Sequence, residues 1–498
     1  MASYLERVAS FLREQSIEAY LVGGCVRDML LGKESHDIDF VVRGDTVKLA
    51  RGVADELGGS FVLLNEETDT GRAVVREEGG ERIFIDFTRL RGEDIGADLA
   101  KRDFTINAMA VDVASLAESP RIIDPYGGQR DLQEGRLRAV SEGIFHDDPL
   151  RLLRAVRLAA ELDLSIDLLT DALLRRDHAL IEEASHERVR DELARILALP
   201  KAADSLGYMD SSGLLTAVIP ELVPLKGLEQ PLPHCYDVFL HSMETVAAMD
   251  EIQRVGYKTV DADTRYPVSG ILAPFSAQLN AHLDEVIAGG RSRLVVLKLA
   301  ALLHDVGKPA ARTVNAKGRI RFFEHQRKGA DIARAVLRRL RFSAREARLI
   351  WAIIANHMRP LLLSKREVVT NRAIYRFFRD TGEAGVDVLL LSLADHLATS
   401  GPEGLDIAEW ERFLDLVHRM LGKYYEERGE VVSPPKLIDG HDLMERFGLE
   451  PGPRIKELLE AVREAQAQGE VATREEALAY VREILAGQKR TGLLSGEG

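Results

Sequence analysis

The sequence predicts an α+β domain built around a mixed β-sheet, followed by a long all-α region. Two observations along the 498 residues predict this order. Within residues 1–140, short apolar runs of strand length alternate with helical patterns and are separated by turn signals. From about residue 146 onward, apolar residues recur at helical spacing, and strand patterns end apart from a small hairpin predicted near 312–323.

Five strands are predicted in the first domain. Each is an apolar run of four to seven residues, the length expected of strands, and they cover AYLV (19–22), IDFVV (38–42), RAVVRE (72–77), RIFIDF (82–87) and NAMAVDV (107–113). The first residues, MASYLERVASFLREQ, distribute charges through an apolar pattern. They therefore predict an amphipathic helix rather than a signal peptide.

Proline-rich segments mark two boundaries in the helical region, because proline removes a backbone donor and disfavours helix before it. Segment 220–234 carries four prolines, and segment 431–436 reads VVSPPK. The segment 256–292 is predicted to be an extended loop with one short helix, and the tail after Gly487 to be disordered. The expected regions are a head (1–140), a helical neck (141–230), a second helical domain (231–400) and a C-terminal helical region (401–498).

Composition excludes several classes of protein. No run approaches the roughly 18 apolar residues of a transmembrane helix, so we expect no membrane partner. Two cysteines, Cys25 and Cys235, exclude a disulfide framework and fit a reducing cytoplasm. The net charge of −14 argues against nucleic-acid binding as a whole-chain property. Local charge instead favours nucleic-acid binding, because residues 312–348 hold twelve Lys/Arg against three acids, a net charge of +9.

The segment 21–42 carries the first cluster of candidate site residues. A predicted strand ends at Gly23-Gly24, where a helix begins, and glycines at a helix start let phosphate approach the backbone N–H groups. Asp37 and Asp39 follow on a predicted strand, and positions i and i+2 of a strand face the same way. Two converging carboxylates suit a pair of Mg²⁺ ions in phosphoryl transfer. Asp86 is the best candidate for a third catalytic carboxylate.

An alternative for that third carboxylate is Asp112 in AMAVDV. Either aspartate could instead face water at the end of its strand. The sequence leaves this choice open.

These motifs resemble a known enzyme family. GGCVRD followed by DIDF resembles the active-site signature of class II template-independent RNA nucleotidyltransferases, which include CCA-adding tRNA nucleotidyltransferases and bacterial poly(A) polymerases. The remaining motifs of that family follow in its order, as KRDFTINAMA (101–110), DPYGGQRDL (124–132), HDDPLRLLRAVRLA (146–159) and HERVRDEL (186–193). The resemblance implies a polymerase-β-like head, a helical neck and two-metal chemistry at Asp37 and Asp39 with Mg²⁺.

The resemblance also implies a set of nucleotide-binding residues. From the first two motifs it implies Gly23, Gly24, Arg27, Arg102, Asp103 and Asn107, with Asn107 contacting the ribose. Asp103 could equally cap the helix that it opens.

The motif 146–159 is expected to select the base. Asp148 and Arg151 are spaced i, i+3, which predicts one helix face. An acceptor beside a guanidinium fork can pair with the amino group and ring acceptor shared by cytosine and adenine. Arg154 continues that face, and Arg188 is expected to hold the selecting helix in place.

A second set of candidate residues lies between 234 and 396. His304 and Asp305 end the apolar run LKLAALL, and a buried ion pair there needs a partner. Histidines and carboxylates from several helices suit a transition metal or Mg²⁺. The set resembles the HD phosphohydrolase superfamily, with the ligands His241, His304, Asp305, His325, His357 and Asp395. Lys308 is expected to contact phosphate, and Gln326 stands where that superfamily often has glutamate.

The function predicted from this resemblance is addition of CMP and AMP, from CTP and ATP, to the 3′ end of tRNA. HD phosphohydrolase activity is a further possibility. Segment 65–75 is expected to contain the flexible element that permits the C-to-A switch, which favours full CCA addition. Poly(A) polymerase and CC- or A-adding enzymes share the same motifs and remain alternatives. A protein uridylyltransferase, a (p)ppGpp synthetase/hydrolase and a non-catalytic RNA-binding protein are more distant ones, and the oligomeric state is left open.

Overall fold

The computed structural model describes residues 2–65, 69–76, 82–116, 120–257, 268–400 and 407–487. The chain forms two compact units. The first comprises Met1–Leu193 and Tyr208–Val218, and the second comprises Ala194–Gly207 and Ile219–Gly498. The predicted division into four regions stays a prediction. No helix in the described ranges is long and apolar enough to cross a membrane.

A seven-stranded mixed sheet forms the head and confirms the predicted fold class. Its strands are β1 Ala19–Val22, β2 Asp37–Val42, β3 Ser60–Asn65, β4 Thr70–Arg76, β5 Arg82–Arg89, β6 Ala110–Asp112 and β7 Ile122–Ile123, in the order β3-β4-β5-β2-β1-β6-β7. Only β2 and β5 among them pair in parallel. All five predicted strands are present, although residue 77 and the turn at 79–80 lie outside the described residues.

Alternation along β2 and β5 separates the core of the sheet from its polar face. Ile38 and Phe40 of β2, with Ile85 and Phe87 of β5, are buried against the helices that cover one side. The Phe40 and Phe87 rings stack at 5.4 Å between centroids. Because side chains alternate along a strand, the residues between these apolar positions point to the opposite face.

The expectation of a flexible element in segment 65–75 falls partly on residues 66–68, which lie outside the described residues, and it stays a prediction. Strands β3 and β4 pair antiparallel from Ser60–Val74 up to Asn65–Thr70, and four residues, 66–69, connect them. The described part of the segment is therefore mostly sheet. Strand β3 is missing from the predictions because it is an edge strand with exposed Val62, Leu63 and Leu64, which breaks the alternating pattern.

Helices and short strands make up the described part of the chain around and after the sheet. Up to residue 218 the helices are α1 Ala2–Glu14, α2 Gly24–Leu30, α3 Thr46–Leu57, α4 Ile95–Leu99, α5 Gly128–Gln133, α6 Ile144–Asp147, α7 Arg151–Leu162, α8 Leu168–Asp177, α9 His186–Ala198, α10 Ala202–Ser211 and α11 Leu214–Val218. A parallel pair of two-residue strands, β8 Arg136–Leu137 and β9 Ser165–Ile166, is also present, and β9 lies where only helix was expected.

The second unit is mainly helical, as predicted. Its helices are α12 Val238–Tyr257, α13 Ser269–Leu272, α14 Ser276–Asp284, α15 Arg293–Leu303, α16 Lys308–Ala311, α17 His325–Arg339, α18 Ala344–Asn356, α19 Arg359–Ser364, α20 Asn371–Thr381, α21 Gly385–Ser400, α22 Ile407–Tyr425, α23 Gly440–Phe447, α24 Pro453–Ala467 and α25 Arg474–Leu485. The predicted hairpin near 312–323 is present as β12 Arg312–Val314 and β13 Ile320–Phe322. The predicted disordered tail lies outside the described residues.

The expectation of one extended loop over 256–292 is wrong for the described residues, of which 256–257 end α12 and 268–292 form a second part. Besides α13 and α14, this part holds an antiparallel hairpin, β10 Val286–Ala288 with β11 Arg291–Ser292. Gly289 and Gly290 connect the two strands, and both have positive φ, 54° and 77°. A two-residue hairpin turn of this kind requires that conformation, which glycine adopts without strain.

Candidate active site and a second carboxylate–histidine cluster

The Asp37–Asp39 pair lies on the polar face of β2, and the sheet register brings a third carboxylate beside it. Asp39 is level with Asp86 on the parallel neighbour β5. Across the sheet, Gly23 precedes α2 with a φ of 77°, and a Cβ there would stand 2.9 Å from Arg102 Nη1 and 3.4 Å from Asp39 Oδ2. Glycine at this position therefore keeps open the space between the Arg102 guanidinium and the Asp39 carboxylate.

Asp39 sits in surroundings that disfavour its negative charge. Burial and the neighbouring carboxylates of Asp86 and Asp37 raise the pKa of Asp39 to about 6, against the opposing effect of Arg102 and Arg154. An ionised carboxylate in such a place requires a cation nearby. The donor set of Asp37 and Asp39 consists of carboxylate oxygens, which Mg²⁺ prefers, so these two residues fit a divalent cation.

Asp86 is engaged by an arginine that the sequence reasoning missed. Arg72 on β4 donates from Nε to Oδ1 and from Nη2 to Oδ2 of Asp86, both at 2.7 Å, and its guanidinium lies over the Phe84 ring. The Asp86 carboxylate is thus part of an ion pair, and its role as third catalytic carboxylate stays a prediction. The alternative, Asp112, accepts the Ala114 N–H at the end of β6. It pairs with Tyr20 of β1, whereas Asp39 pairs with Val22 of that strand.

A chain of charge-assisted hydrogen bonds joins three of the sequence motifs. Arg27 on α2 donates to Asn107 Oδ1 at 2.8 Å, and Asn107 Nδ2 donates to Asp103 Oδ1 at 3.1 Å. Arg154 on α7 donates from Nε to Asp103 Oδ2 at 2.6 Å. Burial alone would raise the pKa of Asp103, but Arg154 and the donors around its carboxylate lower it. The predicted nucleotide-binding residues of this chain are therefore held to one another.

Two residues of this group differ from their predicted environment. Asn107 is only 3% exposed, and both ends of its amide are used inside the protein, so its contact with ribose stays a prediction. Asp103 does not cap the short 3-10 helix Thr105–Asn107, because its carboxylate accepts the N–H of the adjacent Phe104 instead. Buried Asp98, which the sequence reasoning also missed, holds Arg102 through contacts of 3.3 Å.

The placement of Asp148 corrects the expectation that it shares a helix face with Arg151. Asp148 is extended, with φ −153° and ψ 102°, and lies before α7, because the residue ahead of a proline avoids the helical conformation. Arg188 on α9 donates to both of its carboxylate oxygens, at 3.2 and 2.8 Å. The Arg151 guanidinium donates to the carbonyls of Ile144 and Lys101. The expected holding role of Arg188 therefore acts on Asp148 directly.

The second cluster brings together the predicted histidines and aspartates of the second unit. His241 Nε2 lies 2.9 Å from Asp395 Oδ1, and His304 Nε2 lies 3.2 Å from Asp305 Oδ2. Two sets of three could each hold a metal ion, His241–His304–Asp395 and His304–Asp305–His357. His325 belongs to neither of these sets of described residues, although its Nε2 lies 3.4 Å from Asp305 Oδ1.

The histidine hydrogen bonds favour metal-binding tautomers. Nδ1 of His304, His325 and His357 each faces a backbone carbonyl at 2.7–2.9 Å, which assigns the proton to Nδ1 and leaves the Nε2 lone pair toward the cluster. Among the described atoms, the buried Nε2 of His304 and of His325 has no hydrogen-bond partner. Buried acceptors without a donor are costly, so this donor set fits a cation.

The electrostatics of the cluster lead to the same conclusion. Burial would lower the pKa of His304, but Asp305 and Asp395 outweigh it and raise that pKa to about 10. Burial and the neighbouring His304 lower the pKa of His357 to about 3, so its ring stays neutral, the form that binds metal. Two ionised carboxylates in a buried site need positive charge, which a divalent cation can supply in place of a proton on His304.

A cavity of about 360 Å³ opens onto this cluster. Lys308 lies at its wall with Nζ 2.5 Å from Asp305 Oδ2, and its contact with phosphate stays a prediction. His234 also lines it, and burial followed by Lys308 lowers the pKa of His234 to about 4. Sequence reasoning missed His234, because it treated 220–234 only as a connecting segment.

Comparison with known families identifies the class of protein. The chain matches the poly(A) polymerase head domain over residues 19–138, the probable RNA and SrmB-binding site of polymerase A over 163–225, the HD domain over 272–400 and a tRNA nucleotidyltransferase domain 2 over 411–481. Together with the paired aspartates on β2, these matches define a nucleotidyltransferase with an HD domain, an enzyme class that uses divalent metals.

The chain belongs to the tRNA nucleotidyltransferase family. It is 34% identical over 471 residues to the A-adding tRNA nucleotidyltransferase of Deinococcus radiodurans, which covers 93% of this chain and 95% of the relative. It is 33% identical over 475 residues to the CC-adding tRNA nucleotidyltransferase of Geobacter sulfurreducens, covering 95% and 94%. Another relative, the CC-adding tRNA nucleotidyltransferase of Thermus thermophilus, is 34% identical over 471 residues and covers 93% of each chain.

Solved structures share the fold. A CCA-adding enzyme in an apo form superposes with a TM-score of 0.64 and 23% identity, covering 99% of this chain and 95% of that one. The Thermotoga maritima CCA-adding enzyme complexed with tRNA gives 0.61 and 23%, covering 97% and 95%. These similarities confirm the α+β head followed by helical regions.

Proposed function

We propose that the protein adds CMP and AMP, from CTP and ATP, to the 3′ end of tRNA and so builds or repairs its CCA terminus. The observation that carries this proposal is that Asp39 and Asp86 are paired side by side on β2 and β5, next to Gly23. The carboxylates therefore lie where a glycine leaves room for phosphate. The family membership supports tRNA as the acceptor. We place the enzyme in the cytoplasm, with catalysis in the head (1–140) and base selection in the neck (141–230).

In this proposal Asp37 and Asp39 hold Mg²⁺, which would supply positive charge to the attacking 3′ oxygen and the leaving pyrophosphate. Gly23 and Gly24 let the triphosphate approach the start of α2, and Arg102 lies close enough to meet it. Asp148 is about one third exposed and can exchange the N–H groups of Arg188 for the amino group of cytosine or adenine. Arg151 supplies the donor to the ring acceptor, and Arg154 supports both from the hydrogen-bonded chain.

A second candidate is an enzyme that adds only CC. Two observations favour it: the β3–β4 connection has just four residues, and two of the three relatives named above are CC-adding enzymes. A short connection leaves little chain for a flexible element that would reshape the pocket for adenine.

The test uses purified protein and tRNA transcripts that end before CCA, after C or after CC, each with one labelled nucleotide at a time. CMP on the first two and AMP on the third support CCA addition. AMP absent from all three supports the CC-adding candidate, and long A tails identify a poly(A) polymerase. Incorporation of no nucleotide on any transcript refutes the proposal.

A matched pair of variants tests the catalytic assignment. Asp39→Ala should abolish addition while tRNA affinity stays unchanged, because the lost carboxylate serves the reaction. Asp112→Ala removes a carboxylate that caps a short turn on the same sheet, and its activity should stay within about twofold of the parent. Full activity of Asp39→Ala would overturn the assignment.

For the second cluster, we propose a site for a divalent transition metal or Mg²⁺. Its ligands are His241, His304, Asp305, His357 and Asp395, with His325 beside them. Lys308 and the cavity would then bind a phosphate ester for hydrolysis. His304→Ala should lose bound metal, measured on the purified protein. His282→Ala is the control, because His282 pairs with Asp387 at 2.9 Å outside the cluster. Equal metal content in parent and His304→Ala would refute the metal site.

A further inference from the structure

The basic run at 312–348 forms a shaped surface on two packed helices. Helices α17 and α18 pack together through the connection at residues 340–343. At that end they enclose a cavity of about 420 Å³, which we call the arginine cavity. It is lined by Arg334, Arg338, Arg341, Phe342, Ala344, Ala347 and Arg348. None of the described residues that line it is acidic.

Ion pairs neutralise part of this basic run but leave the cavity positively charged. Arg339 pairs with Glu221 and Arg345 with Glu285, and neither of these two arginines lines the cavity. Arg338 and Arg348 do line it, both are exposed, and neither makes an ion pair within the described ranges of the chain. Two uncompensated guanidinium groups therefore face one concave surface, which attracts anions.

The same charge continues along one face of α17. Arg327, Arg334 and Arg338 follow at spacings of seven and four residues, and all three are exposed; Arg341, also exposed, comes just after the helix ends at Arg339. Residues at these spacings share a helix face. The 12 residues from Arg327 to Arg338 span about 17 Å, long enough to meet several consecutive phosphates of a nucleic-acid strand. Asp331 lies on this face as well, and it pairs with Arg334 at 2.7 Å.

The backbone at the turn gives a further indication. Arg341 has a φ of 60°, a left-handed conformation that glycine or asparagine adopts more easily. An ordinary L residue costs about 1–2 kcal/mol there. Arginine at this position places a guanidinium-bearing side chain at the cavity, which glycine would not provide.

The chemistry of the cavity favours phosphate over nucleobases. Guanidinium groups form forked hydrogen bonds with phosphate oxygens. The one aromatic ring in the lining, Phe342, is buried and lies under the guanidinium of Arg291 at 5.5 Å, so it offers no surface for stacking a base. Contacts made only to phosphate position a nucleic acid without reading its sequence.

We propose that the arginine cavity binds backbone phosphates of the tRNA substrate. This inference rests on the proposed function, which makes tRNA the polyanion that the enzyme must hold. A protein that acts on many tRNAs needs contacts that do not depend on sequence. The cavity belongs to the second unit and supplies contacts of this kind.

The test measures affinity of the full-length protein for tRNA lacking CCA, by fluorescence anisotropy, between about 50 and 200 mM KCl. Arg338→Ala/Arg348→Ala should weaken binding about tenfold at the low-salt end. The slope of log affinity against log salt should fall by about 0.7–0.9 for each lost phosphate contact. Arg338→Lys/Arg348→Lys keeps both charges and should recover most of the slope.

Controls separate this surface from general charge effects and from the catalytic proposal. Arg446→Ala/Arg482→Ala removes two exposed arginines outside the cavity and should leave the slope unchanged. Nucleotide addition at saturating tRNA should equal that of the parent in every variant, and the Tm should be unchanged. An unchanged slope in Arg338→Ala/Arg348→Ala, or an equal change in the control pair, overturns the inference. If the parent adds no nucleotide, the proposed function fails while the slopes still test the cavity.

Discussion

Replacing Asp103 with asparagine removes one negative charge from the hydrogen-bonded chain between α2 and α7. The Asp103 carboxylate is 8% exposed. It accepts hydrogen bonds from Arg154 at 2.6 Å, from the Phe104 N–H at 2.8 Å and from Asn107 at 3.1 Å. Asparagine keeps one acceptor oxygen for these three donors and presents an amide N–H₂ group where the second oxygen stood.

The size of the effect follows from those contacts. A hydrogen bond to a charged group contributes about 1.5–3 kcal/mol, against about 1 kcal/mol for a neutral pair. Losing the bond to Arg154, whose side chain is partly exposed, should lower the free energy of unfolding by about 2 kcal/mol. For a unit of this size, that corresponds to a Tm lower by about 4–8 °C. Release of Arg154 should also raise the KM for CTP and ATP.

The pH dependence gives an independent check. Arg154 and the surrounding donors lower the pKa of Asp103 in the folded protein, despite its burial. A carboxyl group with a lowered folded pKa stabilises the protein above its unfolded pKa, about 3.9, and loses that contribution as the pH falls through the folded value. The Tm difference between parent and Asp103→Asn should therefore be constant from about pH 5 to 8 and shrink below about pH 4.

Asp131→Asn is the matched control, because Asp131 is also buried and also accepts a hydrogen bond from an arginine, Arg138, which is not on α7. Asp131→Asn should lower the Tm by a similar amount and leave the KM for nucleotides unchanged, because its carboxylate accepts from Thr105 and Arg138 and not from Arg154. The reasoning is refuted if Asp103→Asn changes neither Tm nor KM, or if both variants raise the KM equally.

Two further predictions concern a glycine at the candidate active site and a buried ion pair. Gly23→Ala should reduce nucleotide addition at least about tenfold, because its methyl group would lie 2.9 Å from a guanidinium nitrogen at the site. Gly32→Ala is the control, because Gly32 has a φ of 65° and no atom lies within 4 Å of the added carbon. It carries the same backbone strain of about 1–2 kcal/mol and should keep its activity. Glu192→Gln should lower the free energy of unfolding by about 1.5–3 kcal/mol, because this 6% exposed carboxylate pairs with buried Arg157 at 2.7 Å. Glu161→Gln, the 48% exposed partner of the same arginine, should cost less than about 0.5 kcal/mol, and equal denaturation midpoints for the two variants would contradict this assignment.

Local pattern was sufficient for much of the head. Alternating apolar residues predicted β1, β2, β4, β5 and β6, because burial of one sheet face imposes a period of two. The same period placed Asp37 and Asp39 together on the polar face. The fold class, the family and most candidate residues followed from the order of the motifs, which is a property of the sequence alone.

Local pattern failed where a segment's environment decides its structure. Edge strand β3 exposes residues of both faces, so no alternation marks it. The hairpin at Gly289-Gly290 joins strands of only two or three residues, too short for a detectable pattern. For Asp148 the signal was present, because Pro149 follows it and disfavours the helical conformation that the i, i+3 spacing assumed.

The sequence by itself determined which residues carry the chemistry, since motifs and strand periods are local. Only the tertiary structure decided which of them meet. The register of β2 against β5 places Asp39 beside Asp86. The pairing of β4 with β5 places Arg72 opposite Asp86, where the two form an ion pair. Packing in the second unit brings together two sets of three residues that could each hold a metal ion, His241–His304–Asp395 and His304–Asp305–His357. The Arg72–Asp86 ion pair joins residues 14 positions apart and the His241–Asp395 contact residues 154 apart, and their geometry depends on packing that no local pattern records.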